Sequence, residues 1–98
     1  MLDDLIKTIR KRKNKNKDKS YTSSLLSGGL SKCIDKMEEE FDELKKALND
    51  KSNIVHEAAD TIYHILVALE AADIKFEDVL KELEDRKKQS GIEEKNNR

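Results

Sequence analysis

Apolar residues between positions 30 and 48 recur at steps of three and four, and this spacing constrains the fold more than any other feature. Such a period places side chains on one face of an α-helix. The stripe consists of Leu30, Cys33, Ile34, Met37, Phe41, Leu44 and Leu48. Asn49 and Asp50 follow it, so the spacing predicts one long helix over about 30–49.

The same period predicts three other helices, over about 2–12, 53–72 and 76–89. The first and last have one apolar face each, formed by Leu2, Leu5, Ile6 and Ile9 and by Phe76, Val79, Leu80 and Leu83. The helix over 53–72 is apolar around most of its circumference, as expected for a helix buried centrally or in an interface. Ser52 or Asn53 can cap it. A short helical turn is expected after Ser20, before a break at Gly28-Gly29, where Gly29 would allow close backbone approach.

Length and composition favour a single all-α domain. The chain has 98 residues, no proline and only four aromatic residues, a composition that favours helices over sheet. We assign 1–89 to one four-helix domain, with a basic loop at 10–19 and a polar C-terminal tail at 90–98. A domain this small buries a modest share of its surface. We therefore expect a homodimer in which helices from two chains form one bundle, with the helix over 53–72 in the interface.

The sequence argues against a membrane or secreted protein. No run approaches the roughly 18 consecutive apolar residues of a membrane span. The N-terminus is acidic before it is basic, which is not the order of a secretory signal. The single cysteine, Cys33, cannot form an internal disulfide and lies on an apolar stripe, so we expect it in the core. A cytoplasmic location follows as an expectation.

Positive charge is concentrated near the N-terminus. Residues 1–22 carry a net charge of +5 and residues 23–98 carry −6. The basic run Arg10–Lys19 is compatible with nucleic acid, with a solvated loop, or with the phosphates of a small molecule. No aromatic residues alternate with its lysines, which argues against base stacking, so we expect no nucleic-acid partner.

Two carboxylate pairs with the same spacing lie on neighbouring predicted helices. Glu40 and Glu43 are three residues apart, as are Glu57 and Asp60. Side chains at this spacing are neighbours on a helix, and the two pairs can face each other if the helices pack antiparallel. Four converging carboxylates repel unless a cation lies between them, and oxygen ligands favour Mg²⁺, with Mn²⁺ as the alternative. The other interpretation is that all four are solvated surface charge.

Four blocks in order resemble the phosphoribosyl-ATP pyrophosphohydrolase family. The run SYTSSLLSGGLSKCIDKMEEEFDE is similar to the family's SYT, a glycine seven residues later, and K-V-G-E-E-x-x-E. The run HEAADTIYHILVAL is similar to E-A-A-D-L-x-Y-H-L-L-V-L-L. Upstream, Ile9 with Arg12 and Lys13 is similar to I-x-x-R-K. Downstream, VLKELEDR and SGIEEKNNR are also similar to the family.

This resemblance implies an all-α fold of the MazG type and a Mg²⁺-dependent homodimer. The implied reaction is hydrolysis of N1-(5-phosphoribosyl)-ATP to N1-(5-phosphoribosyl)-AMP and pyrophosphate, the second step of histidine biosynthesis. The implied metal ligands are Glu40, Glu43, Glu57 and Asp60. Glu39 would be a further ligand or would orient the attacking water, and Glu39 or Glu40 would be the general base.

The sequence departs from the family pattern inside the first block. Glu38 stands where the pattern has a glycine, and Phe41-Asp42 replaces a small-apolar pair. These changes leave the role of Glu39 open.

The other candidate residues are assigned to substrate binding, and several have a structural alternative. The set is Arg12, Lys13, Ser20, Tyr21, Thr22, Lys36, Tyr63 and His64. Ser20 and Thr22 are either helix caps or phosphate contacts. Tyr63 either packs in a dimer or touches substrate. His64 either hydrogen-bonds across helices or binds metal.

Two other functions also fit the sequence. One is a housekeeping nucleoside triphosphate pyrophosphohydrolase of the same superfamily, against which the SYT and YH blocks argue. The other is a non-catalytic helical dimerisation module in which every carboxylate is surface charge. Pyrophosphate release from phosphoribosyl-ATP, compared with release from ordinary nucleotides, distinguishes these functions.

Overall fold

Five α-helices make up the regular structure of residues 2–13 and 20–87, which are the residues that this computed structural model describes. The helices are α1 (Leu2–Arg12), α2 (Tyr21–Ser27), α3 (Gly29–Asp50), α4 (Ile54–Ala71) and α5 (Phe76–Arg86). The all-α class is therefore confirmed, and the short turn expected after Ser20 is a seven-residue helix. None of the described helices is long and apolar enough to cross a membrane.

The bounds of α1, α3 and α4 agree with the expected ones within one or two residues, and α5 ends at Arg86 where 89 was expected. The expected basic loop at 10–19 overlapped the expected first helix, and residues 10–12 belong to α1. Their three cations occupy the last turn, where the negative end of the helix dipole stabilises them. The rest of the basic run, 14–19, lies outside the described residues, as do positions 88–89 and the tail expected over 90–98.

The centre of the fold is an antiparallel hairpin of α3 and α4. The buried hydroxyl of Thr61 lies 2.8 Å from the carbonyl oxygen of Glu57 and 3.2 Å from that of Glu40, so it joins the two helices. In the short connection, Lys51 and Asn53 have left-handed backbone conformations, with φ of 56° and 59°. Asn53 occupies the N-cap position of α4, but its side chain makes no capping hydrogen bond in this conformation.

The break between α2 and α3 depends on the backbone of one glycine. Gly29 has φ of +86°, a backbone conformation that is unfavourable for residues with a Cβ atom. A Cβ added there would meet no atom within 4 Å. The expected close approach at Gly29 is therefore wrong, and the residue is needed for its backbone angle.

The buried core lies between α1, α2, the start of α3 and the second half of α4. Its members are Ile6, Ile9, Leu25, Leu26, Cys33, Leu66, Val67 and Ala68. The expectation that Cys33 is core is confirmed, and burial raises the pKa of its thiol. The rest of the α3 stripe is less covered. Four of its residues are 41% to 53% exposed, namely Leu30, Ile34, Phe41 and Leu48.

Candidate active site

The first half of α4 carries a compact group of potential metal ligands. His56, Glu57 and Asp60 each offer one ligand atom, and these atoms lie within 4.8 Å of one another. The Nε2 atom of His56 is 3.2 Å from Oδ2 of Asp60, one helical turn away. Within residues 2–13 and 20–87, no lysine or arginine forms an ion pair with Glu57 or Asp60. Among these residues, the ionisable partner of Asp60 is therefore His56.

Glu43 and Glu40 approach this region from α3. Glu43 and Glu57 line one open cleft at the end of the hairpin. The backbone of Glu40 lies beside that of Glu57, because Thr61 contacts both carbonyl oxygens. The helices pack antiparallel, as the carboxylate hypothesis requires. The side chains of Glu40 and Glu43 nevertheless stand outside the group within 4.8 Å.

His56 was not identified from the sequence. Its signal is the i, i+4 spacing to Asp60, which puts the two side chains on one helix face. A single exposed histidine on a helix is common, so the spacing alone does not separate it from other surface residues.

Lys36 and Glu39 form an ion pair on α3, with 3.2 Å between Nζ and Oε2. The hydrogen bond to Glu39 raises the pKa of Lys36. Burial raises the pKa of the Tyr21 hydroxyl, and the positive charge of Lys36 opposes that effect. The negative charge of Glu40 also raises the pKa of Tyr21. Tyr21, Lys36, Glu39 and Glu40 therefore influence one another electrostatically.

The SYT and YH segments meet through side-chain hydrogen bonds. The hydroxyl of Tyr21 is 3.2 Å from Nε2 of His64, and Nδ1 of His64 is 2.8 Å from the carbonyl oxygen of Asp60. Thr22 Oγ1 hydrogen-bonds to the hydroxyl of Tyr63. Thr22 and His64 are buried. The contact with Tyr21 gives His64 a hydrogen bond between two helices, which was one of the two roles expected for it.

Ser20 is the residue that caps α2. Its Oγ accepts a hydrogen bond from the backbone N–H of Ser23 at 2.9 Å. Ser23 was not a sequence candidate, yet it is buried and its Oγ donates to the carbonyl oxygen of Arg12 at 2.9 Å. The end of α1 is therefore tied to the start of α2.

Lys13 lies away from the acidic group, at the other end of α4. Its Nζ donates to the carbonyl oxygen of Glu70 at 3.0 Å and pairs with Asp73, and the bond to Asp73 raises the pKa of Lys13. Ten residues separate Asp60 from Glu70, which is about 15 Å along a helix. The side chain of Lys13 is therefore not brought to the acidic group of α4.

Arg10 makes a second set of ion pairs beside Lys13. Its Nε is 3.5 Å from a carboxylate oxygen of Glu70, and its guanidinium also pairs with Glu77. The hydrogen bond from Arg10 lowers the pKa of Glu77 to about 2. Arg10 and Lys13 together attach α1 to the end of α4 and the start of α5.

Sequence comparison assigns the chain to a known family. The family profile described as phosphoribosyl-ATP pyrophosphohydrolase matches residues 2–87. The chain belongs to this family. It is 44% identical to the phosphoribosyl-ATP pyrophosphatase of Ruegeria pomeroyi over 97 residues, which cover 97% of this chain and 92% of the relative. The corresponding enzyme of Rhizobium etli is 41% identical, with 99% and 92% covered.

A longer relative also matches over the whole chain. The histidine biosynthesis bifunctional protein HisIE of Helicobacter hepaticus is 48% identical over 100 residues, which cover 43% of that protein. The resemblance inferred from the SYT and YH blocks is therefore confirmed. In this member of the phosphoribosyl-ATP pyrophosphohydrolase family, the two blocks contact each other through Tyr21 and His64, and through Thr22 and Tyr63.

Proposed function

We propose that this chain hydrolyses N1-(5-phosphoribosyl)-ATP to N1-(5-phosphoribosyl)-AMP and pyrophosphate, in the cytoplasm and as the second step of histidine biosynthesis. The observation that carries the proposal is the family match over residues 2–87. The relatives named for this reaction align with nearly their whole length. The reaction breaks the anhydride bond between the α- and β-phosphates, and water supplies the new P–O bond.

The proposed metal ligands are Glu40, Glu43, Glu57 and Asp60. Glu57 and Asp60 have no lysine or arginine partner among the described residues, and Glu43 shares a cleft with Glu57. An all-carboxylate donor set fits Mg²⁺, with Mn²⁺ as the alternative. The bound ion would neutralise charge that develops on phosphate oxygens.

Glu40 is the proposed general base, which takes a proton from the attacking water. Glu39 has the same chemistry, but its carboxylate is hydrogen-bonded to Lys36. That bond leaves fewer free lone pairs on Glu39 to accept a proton. Glu40 has no such partner among the described side chains.

The substrate-binding candidates divide into contacting and supporting residues. Arg12, Tyr21 and Lys36 are the proposed substrate contacts, with the two cations directed at phosphates. Four residues support the site through hydrogen bonds within the chain, namely Ser20, Thr22, Tyr63 and His64. Lys13 holds α1 in place through Asp73.

A homodimer is the proposed state, supported by an uncovered apolar face. Ile34, Phe41 and Leu48 on α3 and Val55 and Ile62 on α4 are all more than 40% exposed, with Val55 at 84%. This amount of exposed apolar surface on two packed helices favours an interface. A second copy of the chain would cover the face. Sedimentation at tens of micromolar should give a dimer for the parent and a monomer for Phe41→Glu, and a monomeric parent contradicts this assignment.

The test of the reaction is pyrophosphate release with Mg²⁺ from phosphoribosyl-ATP, ATP, dATP and dUTP. We expect turnover of phosphoribosyl-ATP alone, because a site that binds the added phosphoribosyl hydroxyls and phosphate penalises analogues without them. Glu57→Gln should abolish the release, and Glu82→Gln, which removes an exposed carboxylate on α5, serves as the matched control. Equal turnover of dUTP indicates the housekeeping enzyme, and no release from any nucleotide indicates the dimerisation module.

A further inference from the structure

The ring of His64 is held from several sides. Its Nδ1 is 2.8 Å from the carbonyl oxygen of Asp60 and its Nε2 is 3.2 Å from the hydroxyl of Tyr21. The rings of Tyr21 and Tyr63 meet it edge to face, with centroids 6.0 and 5.3 Å away. The side chain is only 5% exposed. One ring orientation therefore satisfies all of these contacts.

These partners determine which atoms carry hydrogen. A backbone carbonyl oxygen can only accept, so Nδ1 of His64 has to be the donor to Asp60. In a neutral imidazole, Nε2 is then an acceptor. The Tyr21 hydroxyl consequently donates its only hydrogen to His64.

Since its one hydrogen is used, the Tyr21 hydroxyl can only accept a further hydrogen bond. The residue is 56% exposed, and His64 alone links its hydroxyl to the backbone of Asp60, a proposed metal ligand, so a ligand at the proposed site can reach it. Ionised phosphate oxygens carry no hydrogen and cannot donate to Tyr21. Ribose hydroxyls and N–H groups of the base can donate.

We propose that Tyr21 is a specificity-determining residue that accepts a hydrogen bond from an O–H or N–H group in the nucleoside part of the substrate. His64 is the positioning residue, because its Nε2 accepts the hydrogen of the Tyr21 hydroxyl. The assignment rests on the proposed function for the identity of the substrate. It excludes Tyr21 as a hydrogen-bond donor to phosphate.

The first test concerns the hydrogen positions and needs no activity. Long-range ¹⁵N–¹H NMR of the imidazole at alkaline pH distinguishes the two neutral tautomers. We expect His64 with hydrogen on Nδ1, and a change in the Nε2 shift in Tyr21→Phe. Hydrogen on Nε2 would overturn the assignment.

The second test separates nucleoside from phosphate recognition. In Tyr21→Phe, the KM for phosphoribosyl-ATP should rise about fivefold to tenfold, the size of one neutral hydrogen bond. Inhibition by pyrophosphate should not change. Ser27→Ala, which removes a hydroxyl from the exposed end of the same helix, is the control and should leave both values unchanged.

Each contrary result of this test has a distinct meaning. If inhibition by pyrophosphate weakens as much as the KM rises, Tyr21 donates to phosphate. If the KM is unchanged, Tyr21 does not contact the substrate. Either result overturns the proposal. If the parent does not turn over phosphoribosyl-ATP, the proposed function fails. In that case, calorimetry measures the binding of AMP and of pyrophosphate to the parent and to Tyr21→Phe. The proposal then predicts weaker binding of AMP alone in the variant.

The role of His64 is tested with two substitutions. The amide oxygen of Gln can accept from Tyr21, but Leu offers no acceptor. His64→Leu should therefore reproduce the KM increase of Tyr21→Phe, and His64→Gln should recover part of it. Thermal melting checks that both variants are folded. A folded His64→Leu variant with parental KM would remove His64 from the positioning role.

Discussion

The two ends of α4 carry similar acidic residues but differ in their partners. Near its C-terminal end, Glu70 contacts Arg10, and Asp73 just beyond the helix contacts Lys13. These acids are neutralised within the chain, and they hold α1 against α4.

Near the N-terminal end of α4, Glu57 and Asp60 have His56 as their basic neighbour. Among the described residues, neither forms an ion pair with lysine or arginine. Like charges at this distance disfavour the folded state unless a cation is supplied. The comparison indicates that the partners of an acid, more than its position in the sequence, distinguish a structural role from the binding role that we propose for Glu57 and Asp60.

The largest expected effect is on activity. Asp60→Asn should lower kcat by about a hundredfold or more, since it removes a proposed metal ligand. Glu70→Gln, at the other end of the same helix, should change kcat little and lower the melting temperature, because it weakens the attachment of Arg10. Pyrophosphate release and thermal melting measure the two effects. A reversed pattern would contradict the division of α4.

The next effect is on stability and depends on Mg²⁺. Binding of the ion to the folded chain should stabilise the parent by about 2.7 kcal/mol at a hundredfold excess over Kd. In chelator, Asp60→Asn should be at least as stable as the parent because one of the repelling charges is gone, and Mg²⁺ should stabilise it much less. Melting curves of both proteins with and without Mg²⁺ test this. If the two melt together in both conditions, the carboxylates are surface charge.

A smaller effect distinguishes the two cations at the end of α1. Arg12→Ala should raise KM several-fold with little change in kcat, because it removes ground-state binding of a phosphate. Lys13→Ala should mainly lower the melting temperature, since Lys13 pairs with Asp73. Steady-state kinetics and melting of the two single variants provide the measurement. Equal KM increases in both would place Lys13 at the phosphates.

The smallest effect is the pH dependence of the Glu77 ion pair. Arg10 lowers the pKa of Glu77 to about 2 from its ordinary value of 4.5. The pair therefore stabilises the fold above pH 4.5, and this contribution is lost as pH falls from there toward 2. The pair is exposed, so solvent screens it and the effect is small. The melting temperature of Glu77→Gln should be slightly below that of the parent at pH 7 and converge with it in acid.

The sequence was sufficient to predict the helices and the family. Apolar periodicity reports the face of a helix, so the bounds of α1, α3 and α4 agree with expectation within one or two residues. It does not report what covers that face, and Phe41 and Leu48 are consequently more exposed than a core position would be.

The parts that could not be predicted depend on contacts between distant segments. Lys13 and its partner Asp73 are 60 residues apart, and nothing local indicates that they meet. The same holds for Tyr21 and His64, which are 43 residues apart. His56 was missed for a different reason, because its one signal is a spacing that many surface residues share.

The hairpin of α3 and α4 also has a consequence for the order of folding. Its helices are adjacent in the sequence and joined by a short connection, so little chain entropy is lost in closing it. The ion pair of Arg10 and Glu77 instead joins residues 67 positions apart. During synthesis α1 leaves the ribosome first, but α5 has to emerge before α1 can complete its contacts. The acidic half of α4 can thus pack against α3 before α1 makes its contacts with α5. Limited proteolysis of stalled nascent chains would reveal this order.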